Sequence, residues 1–313
     1  MQNLNNKQSS VIKNKFNKQR GLYLFFGGKG GVGKTTMSAA TAVWMADRGY
    51  KTTVVSTDPT VSLSSIFNQQ IDGKEEVPIR EVKNLCGINI NPNDAKGVFQ
   101  SRLGSLMGQM TGALGKDVIS TPCAEEMATF DQFVSILDSE NTNHVIVFDT
   151  APTGKTLREL AMPFNWAEFM KKQITESKKL AKILNMDEKS MESLEKDKKR
   201  YDNALNVLGN KDNTIFSLVL LAERLPIDET KSAVKGLTNL GITVQSLIIN
   251  EVILEEVIKG NIFLLDRFKL QRNYLTEIEQ TFKAFEGKIV PLLNSDVSSL
   301  KTLRKVGDIL YGG

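Results

Sequence analysis

One run, Gly28-Lys29-Gly30-Gly31-Val32-Gly33-Lys34-Thr35-Thr36, constrains this chain more than any other stretch. From Gly28 to Thr35 it fits the phosphate-cradling pattern G-x-x-x-x-G-K-[ST]. In that pattern the glycines let backbone N–H groups close around phosphates. Lys34 brings positive charge to the outer phosphates, and the Thr35 hydroxyl is placed to hold Mg²⁺. The flanks agree: Leu22 to Phe26 reads as a buried strand and Thr36 to Asp47 as a helix. Strand, loop and helix in that order set the phosphates on a helix N-terminus, where the dipole favours anions.

The same alternation runs on through the chain. Strands are predicted at 22–27, 52–57, 87–91, 145–149, 215–221, 245–250 and 288–291, with helical patterns between them and a last helix from about Val297 to Tyr311. Such alternation gives right-handed crossovers and a mostly parallel, doubly wound α/β sheet covered on both faces. A ligand then lies at the carboxyl ends of the strands. Two stretches exceed a minimal sheet of this kind, about 95–140 and 162–208, and both carry apolar residues at helical spacing. They flank the strand at 145–149 and are expected to form an inserted helical subdomain. The expected organisation is therefore a basic arm over 1–20 and one domain over 21–313 that carries this subdomain. Met107, Met110, Met127, Met162, Met170, Met186 and Met191 all fall in this region. Methionine-rich helices re-pack around varied apolar ligands, and they also make ordinary cores; both readings stand.

Composition narrows the function. A net charge of +4 is too small to argue for nucleic acid, and no strong basic stripe is present. The first twenty residues are basic but have no apolar core, so they do not read as a secretory signal. No apolar run approaches the ~20 residues of a membrane span. With two cysteines (Cys86, Cys123) and one histidine (His144), no C-x-x-C zinc site and no disulfide framework can be written, which suits a cytoplasmic protein. His144, just before the apolar run Val145 to Phe148, reads as a strand-end residue.

Two further motifs end strands. After the second comes Thr57-Asp58-Pro59-Thr60-Val61-Ser62-Leu63, where Asp58 can orient or deprotonate an attacking water, directly or through Mg²⁺. It can equally cap the helix that follows, and the two roles are compatible. After the fourth comes Asp149-Thr150-Ala151-Pro152-Thr153-Gly154-Lys155-Thr156-Leu157-Arg158. An aspartate ending an apolar strand is an outer partner of Mg²⁺ in such folds. Pro152 and Gly154 shape a loop able to respond to the γ-phosphate.

These three motifs together resemble the arsenical pump-driving ATPase family, which includes the ATPases that guide tail-anchored membrane proteins. Weaker matches follow at Ala222-Glu223 with Glu229-Thr230, Ile249-Asn250, Gln271-Tyr274-Ile278, and Pro291-Leu292 with Val297 and Leu300. The similarity covers roughly 21–311. It implies a P-loop fold with a deviant Walker A loop, ATP and Mg²⁺ as cofactors, and a homodimer in which Lys29 reaches the partner's nucleotide. The resemblance assigns catalysis to Asp58, Lys29 and Lys34, and the metal to Thr35, Asp58 and Asp149. It assigns the nucleotide to Gly28 through Thr36 (Gly28, Lys29, Gly30, Gly31, Val32, Gly33, Lys34, Thr35, Thr36), to Pro152, and to Asn250, Pro291 and Leu292 at the base.

The chain also departs from the family. Val61 and Lys155 stand where such proteins often have histidines, and the cysteine pair that binds zinc at the dimer interface of the tail-anchored branch is missing. Arsenite binding needs about three thiolates, more than the two cysteines here readily supply. The resemblance therefore implies an ATPase whose opening and closing governs binding of an apolar client such as a transmembrane segment, with a membrane-bound receptor, no zinc and no nucleic acid. It would act in the cytoplasm and at the membrane surface. The alternatives are an energising subunit of an arsenite-type efflux pump, and a partition or positioning ATPase on membrane or DNA. For the last, Leu300, Leu303, Val306, Ile309 and Leu310 can form either an amphipathic membrane helix or a sheet-covering one.

Overall fold

The computed structural model describes residues 21–57, 63–73, 75–90, 124–138, 144–150, 160 and 189–312. Asp58, Val61, Pro152, Lys155, Cys123, the arm at 1–20 and most of the helical stretches at 95–140 and 162–208 lie outside them. The chain divides into two compact units, one of Met1–Asn89, Asn141–Thr156 and Lys211–Gly313, the other of Ile90–Glu140 and Leu157–Asn210.

The first unit is built on an eight-stranded sheet: β1 (Leu22–Gly27), β2 (Lys51–Ser56), β3 (Val77–Pro78), β4 (Leu85–Asn89), β5 (His144–Asp149), β6 (Thr214–Leu221), β7 (Val244–Val252) and β8 (Glu286–Pro291). Their order across the sheet is β3-β4-β2-β5-β1-β6-β7-β8. Neighbours pair in parallel except β3 with β4. The seven sequence-predicted strands all form; β3, of two residues, was too short to leave a periodic pattern. β1 and β5 are buried at every position, as expected of parallel strands covered on both faces. On one face Phe25 stacks between Phe148 and Phe216, with ring centroids 4.6 and 4.4 Å away. These three residues are register partners across β5, β1 and β6, so the ladder follows from their positions alone.

On the other face Leu22, Leu24 and Phe26 meet α1 (Lys34–Asp47) and the last helix (Leu300–Tyr311). In chain order, α2 (Leu63–Phe67), α3 (Ala124–Asp138), α4 (Lys189–Gly209), α5 (Arg224–Asn239) and α6 (Ile262–Thr281) come between these two, which makes the last one α7. α1 is buried from Lys34 to Ala46 apart from Thr36, and its small residues let it lie close to its neighbours. The apolar face of α7 packs on it: Leu303, Val306 and Leu310 are buried, and Leu300 and Ile309 pack against the same cluster. Each fully buried side chain contributes on the order of 1.5–3 kcal/mol. A Cβ on Gly307 would stand 2.9 Å from that of Trp44, so the helices approach to contact there. The seam is pinned by Thr41 Oγ1 and Tyr311 OH at 2.8 Å, by Trp44 Nε1 donating to Gly312 O at 3.1 Å, and by Arg304 on Asp47. α7 thus covers the sheet, and its apolar face is engaged. None of the described helices is long and apolar enough to cross a membrane.

Within the second unit, α3 and α4 are clamped by a part-buried ion pair. Arg200 reaches Asp131 Oδ1 at 2.8 Å and the Ser135 hydroxyl at 2.6 Å, while Tyr201 OH donates to the same Asp131 oxygen at 3.3 Å.

His144 opens β5 and is buried. Its Nε2 lies 2.8 Å from Thr53 Oγ1, whose own proton goes to Glu76 Oε1 at 3.0 Å. The threonine has one proton to give, so the imidazole is the donor to it. Burial lowers the His144 pKa, Glu76 opposes this, and Lys51 adds to the lowering. The unfolded chain therefore binds this proton more readily than the folded one. Its contribution to stability is intact above a pH of about 6.5 and is lost as the pH falls below it. Urea midpoints at pH 7.5 and 5.5 are expected to diverge less for His144→Gln than for the wild type; an equal divergence would remove His144 as the source.

Candidate nucleotide site

The loop between β1 and α1 demands glycine at two of its positions. Gly28 has φ +145° and a Cβ there would sit 2.2 Å from the Val219 carbonyl oxygen of β6. Gly33, at φ +95°, caps α1, and its Cβ would fall 2.5 Å from Asn250 Nδ2. Only glycine combines that backbone with that closeness. The loop is also tied from outside. Asn250 Nδ2, on β7, donates to Val32 O at 3.0 Å. Thr150 donates to Phe26 O through its hydroxyl at 2.8 Å and its N–H at 3.2 Å.

α1 starts at Lys34, two residues before the sequence pattern suggested, because Gly33 in the left-handed conformation already turns the chain into it. Its first turn has no acidic residue and no side-chain cap. The N-terminal N–H groups thus face the loop without competition from a capping side chain, as an anion requires. Lys34 is buried, and its Nζ lies across the loop, 3.2 Å from Lys29 O. Thr35 is buried beside it. The glycine cradle and the uncapped helix end fit a polyphosphate, which would supply the bond to be cleaved.

Asp149 ends β5 fully buried, level in register with Phe26 of β1 and Ser56 of β2. Ser56 Oγ donates to its Oδ2 at 3.3 Å, and its own carbonyl receives the Thr57 N–H at 2.9 Å. Among the described residues no three acidic, histidine or cysteine side chains gather into a metal cluster. The oxygen donors Thr35 and Asp149 suit Mg²⁺, a hard cation that keeps most of its waters; it would neutralise phosphate charge during transfer.

Beyond Gly33 opens a cavity of about 410 Å³. Gly33, Thr36, Asn250, Pro291 and Leu292 line it together, so residues from three distant motifs meet. The size is that of a small-molecule site. Met37, Glu251, Asn294 and Asp296 line it as well. The sequence had singled out none of these four: Met37 is the residue after Thr36 on α1, and the others sit on strand ends and loops without periodicity.

Lys29 does not point across its loop. Its Nζ lies 3.3 Å from Glu229 Oε1 on α5, and both side chains are partly exposed. Nothing in the sequence signalled that pair, two opposite charges far apart in the chain. Cys86, half-buried on β4, has its thiol pKa raised by burial and then by Glu76, with Lys51 opposing.

The family model described as anion-transporting ATPase matches residues 22–312. A Halobacterium salinarum protein, named provisionally as an arsenical pump-driving ATPase, is 36% identical over 295 residues, 93% of this chain and 44% of its own. The arsenical pump-driving ATPase of Escherichia coli is 33% identical over 242 residues, 74% of this chain and 39% of its own. This chain thus spans less than half the length of either. The ATPase ASNA1 homolog 1 of Paramecium tetraurelia is 29% identical over 322 residues, covering 96% of this chain and 95% of its own.

Proposed function

The chain belongs to the anion-transporting ATPase family, a membership that supports ATP hydrolysis, and from that premise we propose that it works as a homodimer whose nucleotide-driven closure governs the binding of an apolar client, a membrane-protein segment. The observation that carries the proposal is the loop itself, a rigid polyphosphate cradle with an additional lysine on its rim. In this reading Lys34 and the α1 N-terminus hold the β- and γ-phosphates, and Thr35, with Asp149 behind it, holds Mg²⁺. Asn250, Pro291 and Leu292 take the base. Asp58 prepares the water, Pro152 shapes the loop over the γ-phosphate, and Lys29 completes the charge around the phosphates of the partner copy.

Pairing of two copies has support on the surface. Leu225, Leu254, Val257 and Leu292 are exposed, and each follows the carboxyl end of β6, β7 or β8, the end of the sheet that carries the loop. Large exposed apolar side chains gathered at one end favour a protein contact. For the client, the cysteine chemistry weighs against a metalloid. Only two cysteines exist, and Cys86 holds its proton more tightly than usual, the opposite of a soft thiolate ligand. An energising subunit of an arsenite-type pump is the second reading, favoured by the names of the Halobacterium and E. coli relatives.

One experiment separates them. A fluorescent peptide of about 20 apolar residues is titrated with the full chain loaded with a non-hydrolysable ATP analogue or with ADP, and turnover is measured with and without arsenite. The proposal expects the peptide to bind in one nucleotide state and arsenite to leave turnover unchanged. Stimulation by arsenite without peptide binding would replace it with the pump reading.

A further inference from the structure

The Lys29–Glu229 pair places a carboxylate beside a loop built for anions. Lys29 is 32% exposed and Glu229 44%, so the bond is open to water and can exchange partners. The helix that carries Glu229 is held in place. α5 is anchored through Ile227, Thr230 and Ala233, which are buried. It is also strapped to α6 on both sides of Glu229, by Glu223 with Arg267 at 2.9 Å and by Lys231 with Glu277 at 2.8 Å. α6 in turn grips the end of β7: Gln271 donates to Glu251 O at 3.0 Å and accepts from Ile253 N at 2.7 Å. The neighbouring Asn250 holds the loop. The partner of Lys29 therefore stands on a fixed platform that also borders the base cavity.

We propose that Glu229 is a positioning residue for Lys29: it docks the lysine on its own chain, and two nucleotide-loaded copies pair only by taking Lys29 from it. The inference rests on the homodimeric reading above, in which Lys29 acts on the partner's phosphates. Separation of the ion pair leaves Glu229 as an uncompensated carboxylate near phosphate, which opposes pairing. Removing the charge removes the opposition. Exposed pairs of this kind set the scale at about two- to fivefold.

The test uses the full chain with Mg²⁺ and ATP. Turnover per chain is followed against protein concentration for wild type, Glu229→Gln, Glu229→Asp and Lys29→Met, and nucleotide-dependent association is followed by sedimentation for these and for Lys29→Met with Glu229→Gln. Glu229→Gln is expected to lower the half-maximal concentration about two- to fivefold, with the gap narrowing at high salt as screening weakens the wild-type pair. Glu229→Asp keeps the wild-type midpoint. In the Lys29→Met background Glu229→Gln changes association no further. An unchanged midpoint in Glu229→Gln, or a shift that persists without Lys29, overturns the assignment of Glu229 while leaving the homodimer intact. Full turnover in Lys29→Met overturns the homodimeric reading and this inference with it.

Discussion

Lys34→Ala is expected to weaken ATP binding by about 10- to 150-fold and to abolish turnover. The magnitude follows from the loss of a charged hydrogen bond to phosphate, about 1.5–3 kcal/mol, at about 1.4 kcal/mol per tenfold. The side chain is buried at the start of α1 and reaches back over its own loop. Alanine is a good helix former, so the fold survives the change. Lys34→Arg is not expected to rescue binding, because a planar guanidinium does not replace a compact ammonium in so tight a cradle. Isothermal titration with MgATP measures the effect, and binding within threefold of wild type would remove Lys34 from the site.

Asp58→Asn is expected to lower turnover by about 10²–10⁴, the usual contribution of a positioned proton acceptor, while ATP stays bound and paired chains accumulate. The substitution is informative because it separates the two readings of this residue. Asparagine caps a helix as well as aspartate does. If Asp58 only caps the helix that follows, the variant behaves as wild type. If it prepares the water, the amide cannot accept the proton and hydrolysis stops with nucleotide in place. Single-turnover kinetics with labelled ATP distinguish the outcomes, and wild-type turnover would end the assignment of Asp58 to chemistry.

The central sheet was readable because burial on both faces makes its strands into uninterrupted apolar runs, as in Leu22–Gly27 and His144–Asp149. The order of those strands was not written in any run; it comes from pairings such as Phe25 with both Phe148 and Phe216. The phosphate loop was readable for a different reason. Its backbone demands glycine at Gly28 and Gly33, and that demand leaves a mark in the sequence. Asn250 and Leu292 show the limit of local patterns. The resemblance marked them, but that Asn250 also holds the loop through Val32 O depends on β7 passing beside it. The α7 stretch was ambiguous because one apolar stripe suits a membrane or a neighbouring helix equally. Trp44, Gly307 and Tyr311 decide in favour of α1. The Lys29–Glu229 pair is the extreme case, invisible to any local rule.

The account stands most directly on whether the reacting unit is two chains. Light scattering across a dilution series, with MgATP present and turnover recorded on the same samples, measures this. The prediction is that turnover per chain falls in step with the fraction of mass at twice that of one chain. Single chains hydrolysing ATP at an undiminished rate after the pairs have dissociated would contradict it.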